Sequence, residues 1–528
     1  MKKTTKKAIA LLLAAFVMLA CLAACGNTEQ GGQEGGQSSG KKILNLGSTG
    51  YWCNEDMEPA AHDTWNGWYI GYYGVSQQLF KLNTSFQPEN WLAESIKQTD
   101  DTTWEITLRD NVNFHNGPKM TAESVKNCFE RTMELNSRAT EADWIDYFEA
   151  DGQVLTVHTT RIVPTIANEL ADPMWIVYYA DEKVDYDDGN SYFTGPYVLK
   201  SFSAFDETIV VKNEKYWGDE PQVDEVHFMT VADDESAVMA LENGEIDMIY
   251  PVYSGAAGTL TDYPNIVIDG VTSSRGQFME FNMKSPTTSD INVRKAISMC
   301  IDREGYASKI CNDTVTASYG IFSEAIPFGG TDKLELSITG LDVEGAKALL
   351  EQAGYADSDG DGVLDKDGVA LKIKLVIRST DSGMISMCDD LQSKLSGIGI
   401  KLDIVPMENT VDALSAGDFD VACISYAMAP TGTPDYFINI KFVSDSSMNY
   451  GKFASSKVDA LAGQMKTTTD TDELNKLAIQ IQQIVIDECA YTFFAHTKYV
   501  VAYSDKLTGF VNNPTEYYCL DEYMGIAD

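Results

Sequence analysis

The 528-residue sequence predicts an α/β protein. Three observations carry that reading: short β-branched runs that stop at glycine or a polar turn, amphipathic stretches that open on capping residues, and a strand-helix-strand succession in the second half of the chain. In order, ILNLG at 43–47 reads as a strand ended by glycine, and TWEITL at 103–108 as a second. TAESVKNCFERTMEL at 121–135 is a helix with Thr121 and Ser124 as candidate caps, followed by the strand VLTVH at 154–158. Segments 236–242 and 343–353 are further helices, the second stopping at Gly354. LKIKLVI at 371–377 is a strand, 384–395 a helix and IKLDIV at 400–405 the next strand, an order that implies a parallel βαβ unit.

Length allows three or four domains, or a few large ones sharing a core. An apolar fraction of 44% and a charged fraction of 22% exclude collagen, coiled coil and wholesale disorder. With 39 basic against 79 acidic residues the net charge is -40, so a phosphate backbone would be repelled and nucleic acid is excluded as a partner.

Lys2, Lys3, Lys6 and Lys7 precede an unbroken apolar run at 8–24, the layout of a signal peptide over residues 1–24. LAAC, ending in Cys25, resembles the lipobox of bacterial lipoproteins, which implies a lipid on Cys25 and a protein anchored at the outer face of the bacterial cytoplasmic membrane. Read otherwise, the segment is a plain secretory signal or an anchor helix with Cys25 incidental. Residues 25–42 are rich in Gly, Gln and Ser and form a flexible tether. Losing residues 1–24 removes four lysines and no acids, taking the charge from -40 to -44. Of ten cysteines, Cys21 leaves with the signal and Cys25 carries the lipid. The other eight are dispersed without a CxxC pair, and buried free thiols are expected.

The five histidines stand far apart, with no HExxH, GxSxG, Walker A or GxGxxG. No enzymatic activity and no cofactor are expected. Asp357, Asp359 and Asp361 with Gly362 resemble the start of a calcium loop, but position 12 is Gly368 instead of a bidentate Glu, which favours an acidic β-turn. Aromatics crowd the N-terminal region: Tyr51, Trp52, Trp65, Trp68, Tyr69, Tyr72, Tyr73 and Phe80. One short segment cannot bury all of them, so some are expected to wall a ligand cleft.

The blocks FQPENWLAES at 86–95, TWEITLRDNVNFHNG at 103–117 and TAESV at 121–125 carry a resemblance to the bacterial extracellular solute-binding proteins of family 5, the peptide/nickel group of ABC importers. TGPY at 194–197, NEKYW at 213–217, GEID at 244–247, VRKAI with IDR from 293 to 303, and AKALL with AGY from 346 to 355 follow in the family's order. The resemblance spans about 43–528. It implies a two-lobed periplasmic-binding-protein-like fold (type II, cluster C). One lobe comprises 43–75, 192–285 and 497–528, with 76–191 inserted as a small extra domain, and 286–496 forms the other. A monomer would hold a peptide-like solute between the lobes and deliver it to a permease and its ATPase. The alternatives are a nickel-chelate binder of the same family and a solute receptor without transport.

By the same resemblance, peptide binders anchor the solute's ammonium on an Asp where this chain reads ISYAMAPTGTPDYF at 424–437. If Pro434 is the matched proline, Thr433 stands at that place, and a hydroxyl cannot neutralise an ammonium; Asp435 is the remaining candidate. Nickel-chelate binders use an Arg where this chain has Met174, leaving Arg275 or Arg161 to substitute. The expected cleft residues are Tyr51, Trp52, Trp65, Trp68, Trp175, Tyr426, Asp435 and Tyr436, with Asn449 added from its position before a turn.

Overall fold

The computed structural model describes residues 40–49, 56–60, 66–181, 184–186, 190–260 and 263–527. Residues 1–24, Cys25, nearly all of the tether, Tyr51, Trp52, Cys53 and Trp65 lie outside the described residues. Everything below concerns Lys42–Asp528, which forms a unit of its own. Among the described residues no helix is long and apolar enough to cross a membrane.

An 11-stranded mixed sheet runs through the molecule. Its centre is an antiparallel pair of unusual length, Ile266–Phe281 and Tyr491–Ser504. On one side stand Met248–Ile249, Ile43–Ser48, Glu225–Thr230, Glu207–Lys212 and Tyr197–Phe202; on the other, Val421–Ala427, Lys372–Arg378 and Lys401–Met407. The long pair changes partners partway along. Ile266–Thr272 lie against Ser504–Lys498, the register breaks between Thr272 and Gly276, and from Arg275 onward the first strand also pairs with Val421–Ala427. One apolar cluster spans both halves, joining Leu44 and Phe228 to Phe278 and Phe493, and each half also has packing of its own. Met279, Phe281 and Phe494 belong to the cluster around Leu375, Leu391 and Ile297, while Val500 and Ala502 belong to one with Leu241 and Leu260. The sheet changes partners at 273–275.

The expected βαβ unit is present: Lys372–Arg378 and Lys401–Met407 are parallel in the register Lys372↔Lys401, joined by helix Ser382–Gly397. Its Leu391 and Leu395 are buried on the sheet because they recur at helical spacing. Within 76–191, strands Ala93–Asp100, Thr103–Leu108, Val154–Thr159 and Ile145–Asp151 form a separate antiparallel sheet. Helix Ala122–Leu135 covers it, with Phe129 5.7 Å from Phe148. That helix starts where the sequence places it: the Thr121 side chain accepts from the Ser124 amide and the Ser124 hydroxyl accepts from the Thr121 amide, satisfying two end groups that helix geometry leaves bare. The seven described cysteines, from Cys128 to Cys519, are buried free thiols.

Candidate functional site

Above the crossing of the two long strands lies a cavity of ≈ 760 Å³, within the ~300–1,000 Å³ usual for small-molecule sites. The strands supply its floor through Arg275 and Tyr499, and Val421–Ala427 adds Ser425 and Tyr426. One wall is Trp68, Tyr69 and Tyr72 from helix Asn66–Tyr72, with Tyr250 and Tyr253 beyond it. The facing wall is Arg378, Val411, Leu414, Tyr436 and Tyr450. Helical spacing puts Trp68 and Tyr72 on one face, and the break in the ladder at 273–275 turns Arg275 into the opening.

The aromatic wall is fixed by its own contacts. Tyr250 sits edge-on to Tyr72 at 5.4 Å and to Tyr499 at 5.0 Å, and its hydroxyl donates to the Tyr518 carbonyl at 3.0 Å. Tyr426 and Tyr436 stack at 6.2 Å with their hydroxyls 2.9 Å apart. Burial pushes both hydroxyls above the ordinary phenol value, so they stay neutral donors. Trp68 Nε1 donates to the Glu516 carbonyl. Glu516 itself has φ +65°, a conformation that non-glycine residues hold only where surroundings enforce it and that collects at ligand sites. Its carboxylate faces Arg275 at 3.6 Å.

Beneath the cavity, Lys441 Nζ lies 2.9 Å from Glu280 Oε2 with side-chain exposures of 2% and 0%. Lys441 also donates to the Met448 carbonyl at 3.0 Å and sits 4.7 Å from the Tyr450 ring centroid. This enclosed pair ties the end of helix Asp435–Lys441 to the loop carrying Tyr450.

Of the expected cleft residues that are described, Trp68, Tyr426 and Tyr436 come together in this cavity. Trp175 does not line it. It ends a single 3₁₀ turn, Pro173–Trp175, and packs edge-on to Phe129 at 5.0 Å, only 1% exposed. Asn449 is wholly buried, its amide donating to the Val443 and Phe453 carbonyls and accepting from the Phe453 amide, so it closes a turn. Asp435 also lies outside the cavity wall. Its Oδ1 is enclosed without a hydrogen-bond partner, and burial pushes its carboxyl up to about 6. Nearby Glu169, half-buried and close to Asp435, is pushed up to about 8. Thr433 donates to Glu169 at 3.0 Å and contributes nothing to the cavity. Met174 is buried, and Arg161 pairs with Asp143 at 3.9 Å away from the cavity wall, whereas Arg275 reaches it. Asp357, Asp359 and Asp361 gather in an exposed turn where their carboxylates accept backbone amides from Gly360 to Val363.

No histidine or cysteine stands in the wall of the ≈ 760 Å³ cavity among the described residues. His115, half-buried, and His496, buried, stand elsewhere and are held neutral, desolvation pushing each down to about 4. Sequence reading missed Tyr250, Tyr499, Arg378 and Glu516. They come from four distant segments, and no local pattern marks them.

The family model for bacterial extracellular solute-binding proteins, family 5 Middle, matches residues 87–449. The nickel-binding protein NikA of Staphylococcus aureus is 27% identical over 449 residues, covering 85% of this chain and 88% of that protein. The oligopeptide-binding protein AppA of Bacillus subtilis is 23% identical over 539 residues, covering 97% of each. The crystal structure of the S. aureus protein in complex with Ni(L-His)2 superposes with a TM-score of 0.74 at 26% identity, over 92% of this chain and 100% of that one.

Proposed function

Because the chain belongs to the bacterial extracellular solute-binding proteins of family 5, we propose that it is the solute-capturing component of an ABC importer, a monomer lipid-anchored through Cys25. Its solute is a small peptide-like molecule that carries a carboxylate. The observation that supports this reading is the cavity at the strand crossing, where Arg275 and Arg378 stand among Trp68, Tyr250, Tyr426 and Tyr436. Guanidinium groups fork onto carboxylates, and the rings accept an apolar or planar body. The walls come from both halves of the sheet. A solute touching both binds best when the halves are together, so occupancy shifts the population toward the closed form that a permease would read. Closure lowers the local dielectric and strengthens the arginine contacts. No bond is made or broken.

A second reading, a nickel chelate, draws support from the S. aureus relative and from the same arginines. With no imidazole or thiol in the described cavity wall, the metal would enter inside a chelator whose carboxylates meet the guanidinium groups. Native mass spectrometry of the purified protein, with metal analysis, separates the two: an organic carboxylate without nickel is expected, and stoichiometric nickel would replace the first reading with the second. Trp68→Ala should weaken binding about tenfold while the far-UV circular dichroism stays unchanged. Full affinity in that variant would remove the aromatic wall from the site.

A further inference from the structure

Beside the aromatic cavity lies a second chamber of ≈ 430 Å³. Arg275, Glu516 and Ser425 line both spaces, so the Arg275 and Glu516 pair stands at the passage between them. The chemistry of the two differs. The second chamber is walled by Thr380, Asp381 and the first residues of helix Ser382–Gly397, and from the opposite side by Thr497 and Lys498 of the crossing strand.

Some of its polar groups have no hydrogen-bond partner among the described residues. Lys498 forms no ion pair with a described residue. Asp381 precedes the helix without capping it through its side chain, and the Gly383 and Met384 amides donate to no described residue. The Thr497 hydroxyl is enclosed with no partner. Amides at the start of a 16-residue helix carry partial positive charge, and Lys498 adds a full one. Asp381 offers the opposite sign, with burial pushing its carboxyl above the ordinary value against the pull of the Arg378 guanidinium. Such groups, without hydrogen-bond partners among the described residues in a recess that opens onto a ligand cavity, mark a place for a ligand that supplies both signs.

Resting on the solute-binding reading above, we propose that this chamber receives a zwitterionic amino-acid end of the solute. The carboxylate would lie on Lys498 and the Gly383 and Met384 amides, and the ammonium on Asp381, while the aromatic cavity takes the rest. The solute class is then an elongated molecule ending in a free amino acid. A metal chelate fits this chamber less well, because its amines are already occupied by the ion and have no use for Asp381.

The test is isothermal titration calorimetry of the mature protein with γ-L-glutamyl-L-tyrosine, its N-acetyl derivative and Ni(L-His)2. Losing one charge-assisted hydrogen bond costs about 10- to 100-fold in affinity. Lys498→Met and Asp381→Asn are each expected to weaken γ-L-glutamyl-L-tyrosine by that factor. Wild type should reject the acetylated probe, and Asp381→Asn should lose that discrimination. If Trp68→Ala weakens the dipeptide but Lys498→Met and Asp381→Asn leave it unchanged, the second chamber is empty in the complex: the proposal falls and the solute-binding reading stands. Binding of Ni(L-His)2 alone, unaffected by Asp381→Asn, overturns the proposed solute class. Binding of no probe overturns both.

Discussion

The two halves of the molecule meet at two places of opposite character. In the cleft, Arg275, Arg378 and Glu516 face a large empty volume. Where 166–175 meets 429–436, the space left is only ≈ 40 Å³. There Asn168 Nδ2 donates to the Thr431 carbonyl at 2.9 Å and the Phe86 carbonyl at 3.2 Å, and Thr433 donates to Glu169. Gly432 holds φ +72°, and a Cβ on it would come within 2.7 Å of Phe86 Cβ. One helix serves both places: Asp435 begins it at the tight contact, and Lys441 ends it beneath the cleft. The difference teaches that recognition is left to ionic groups with room around them. The tight contact instead encloses carboxyls in surroundings that favour their neutral form.

The comparison breaks most severely if the shared helix loses its anchor. Lys441→Met leaves Glu280 enclosed without its ammonium, and removing one partner of a buried pair costs about 3–5 kcal/mol. Urea denaturation should show that loss, with Glu280→Met in the same chain recovering most of it. A loss below about 1 kcal/mol would mean that the pair contributes no more than a surface one.

The next effect sharpens the contrast through pH. Glu169 is raised from 4.5 to about 8, mainly by burial and then by Asp435, with Asp172 adding and Thr433 and Arg161 opposing. Asp435 is raised from 3.8 to about 6 by burial, against Arg161 and Lys466. In both, the protonated form is the one the contact favours. Its stability is therefore full below the ordinary carboxyl values and falls as pH rises, two protons being linked up to about pH 6 and one from there to about 8. Each linked proton gives about 1.4 kcal/mol per pH unit. Glu169→Gln should flatten the limb between pH 6 and 8 and raise the unfolding midpoint at pH 8; an unchanged slope would assign the titration elsewhere. The smallest effect belongs to Asn168→Ala. It removes two hydrogen bonds worth about 1 kcal/mol each and should shift the urea midpoint slightly while leaving cleft affinity intact.

Much of this architecture was legible. The capped helix at 122–135 and the βαβ unit at 372–407 obey one period each, because each keeps a single buried face. The central strand Ile266–Phe281, IVIDGVTSSRGQFMEF, does not. It changes halves at 273–275, so its buried face is not continuous and its alternation dissolves where Arg275 emerges. Trp68 could be read from the crowding of aromatics around it. Tyr250, Tyr499 and Glu516 could not, since only the tertiary fold brings them together. Trp175 and Asn449 stand outside the cavity wall for the converse reason: a large ring and a polar amide near family-like segments found partners in the core.

The break in the long pair at 273–275 has a mechanical consequence. Beside it, Gly276 leaves space that Met428 fills, its Cε 2.2 Å from where a Cβ would stand. A ribbon with missing rungs at one point resists sliding along its length yet yields to torsion there. Compliance is thereby concentrated at one point of the ribbon, directly beneath the cavity.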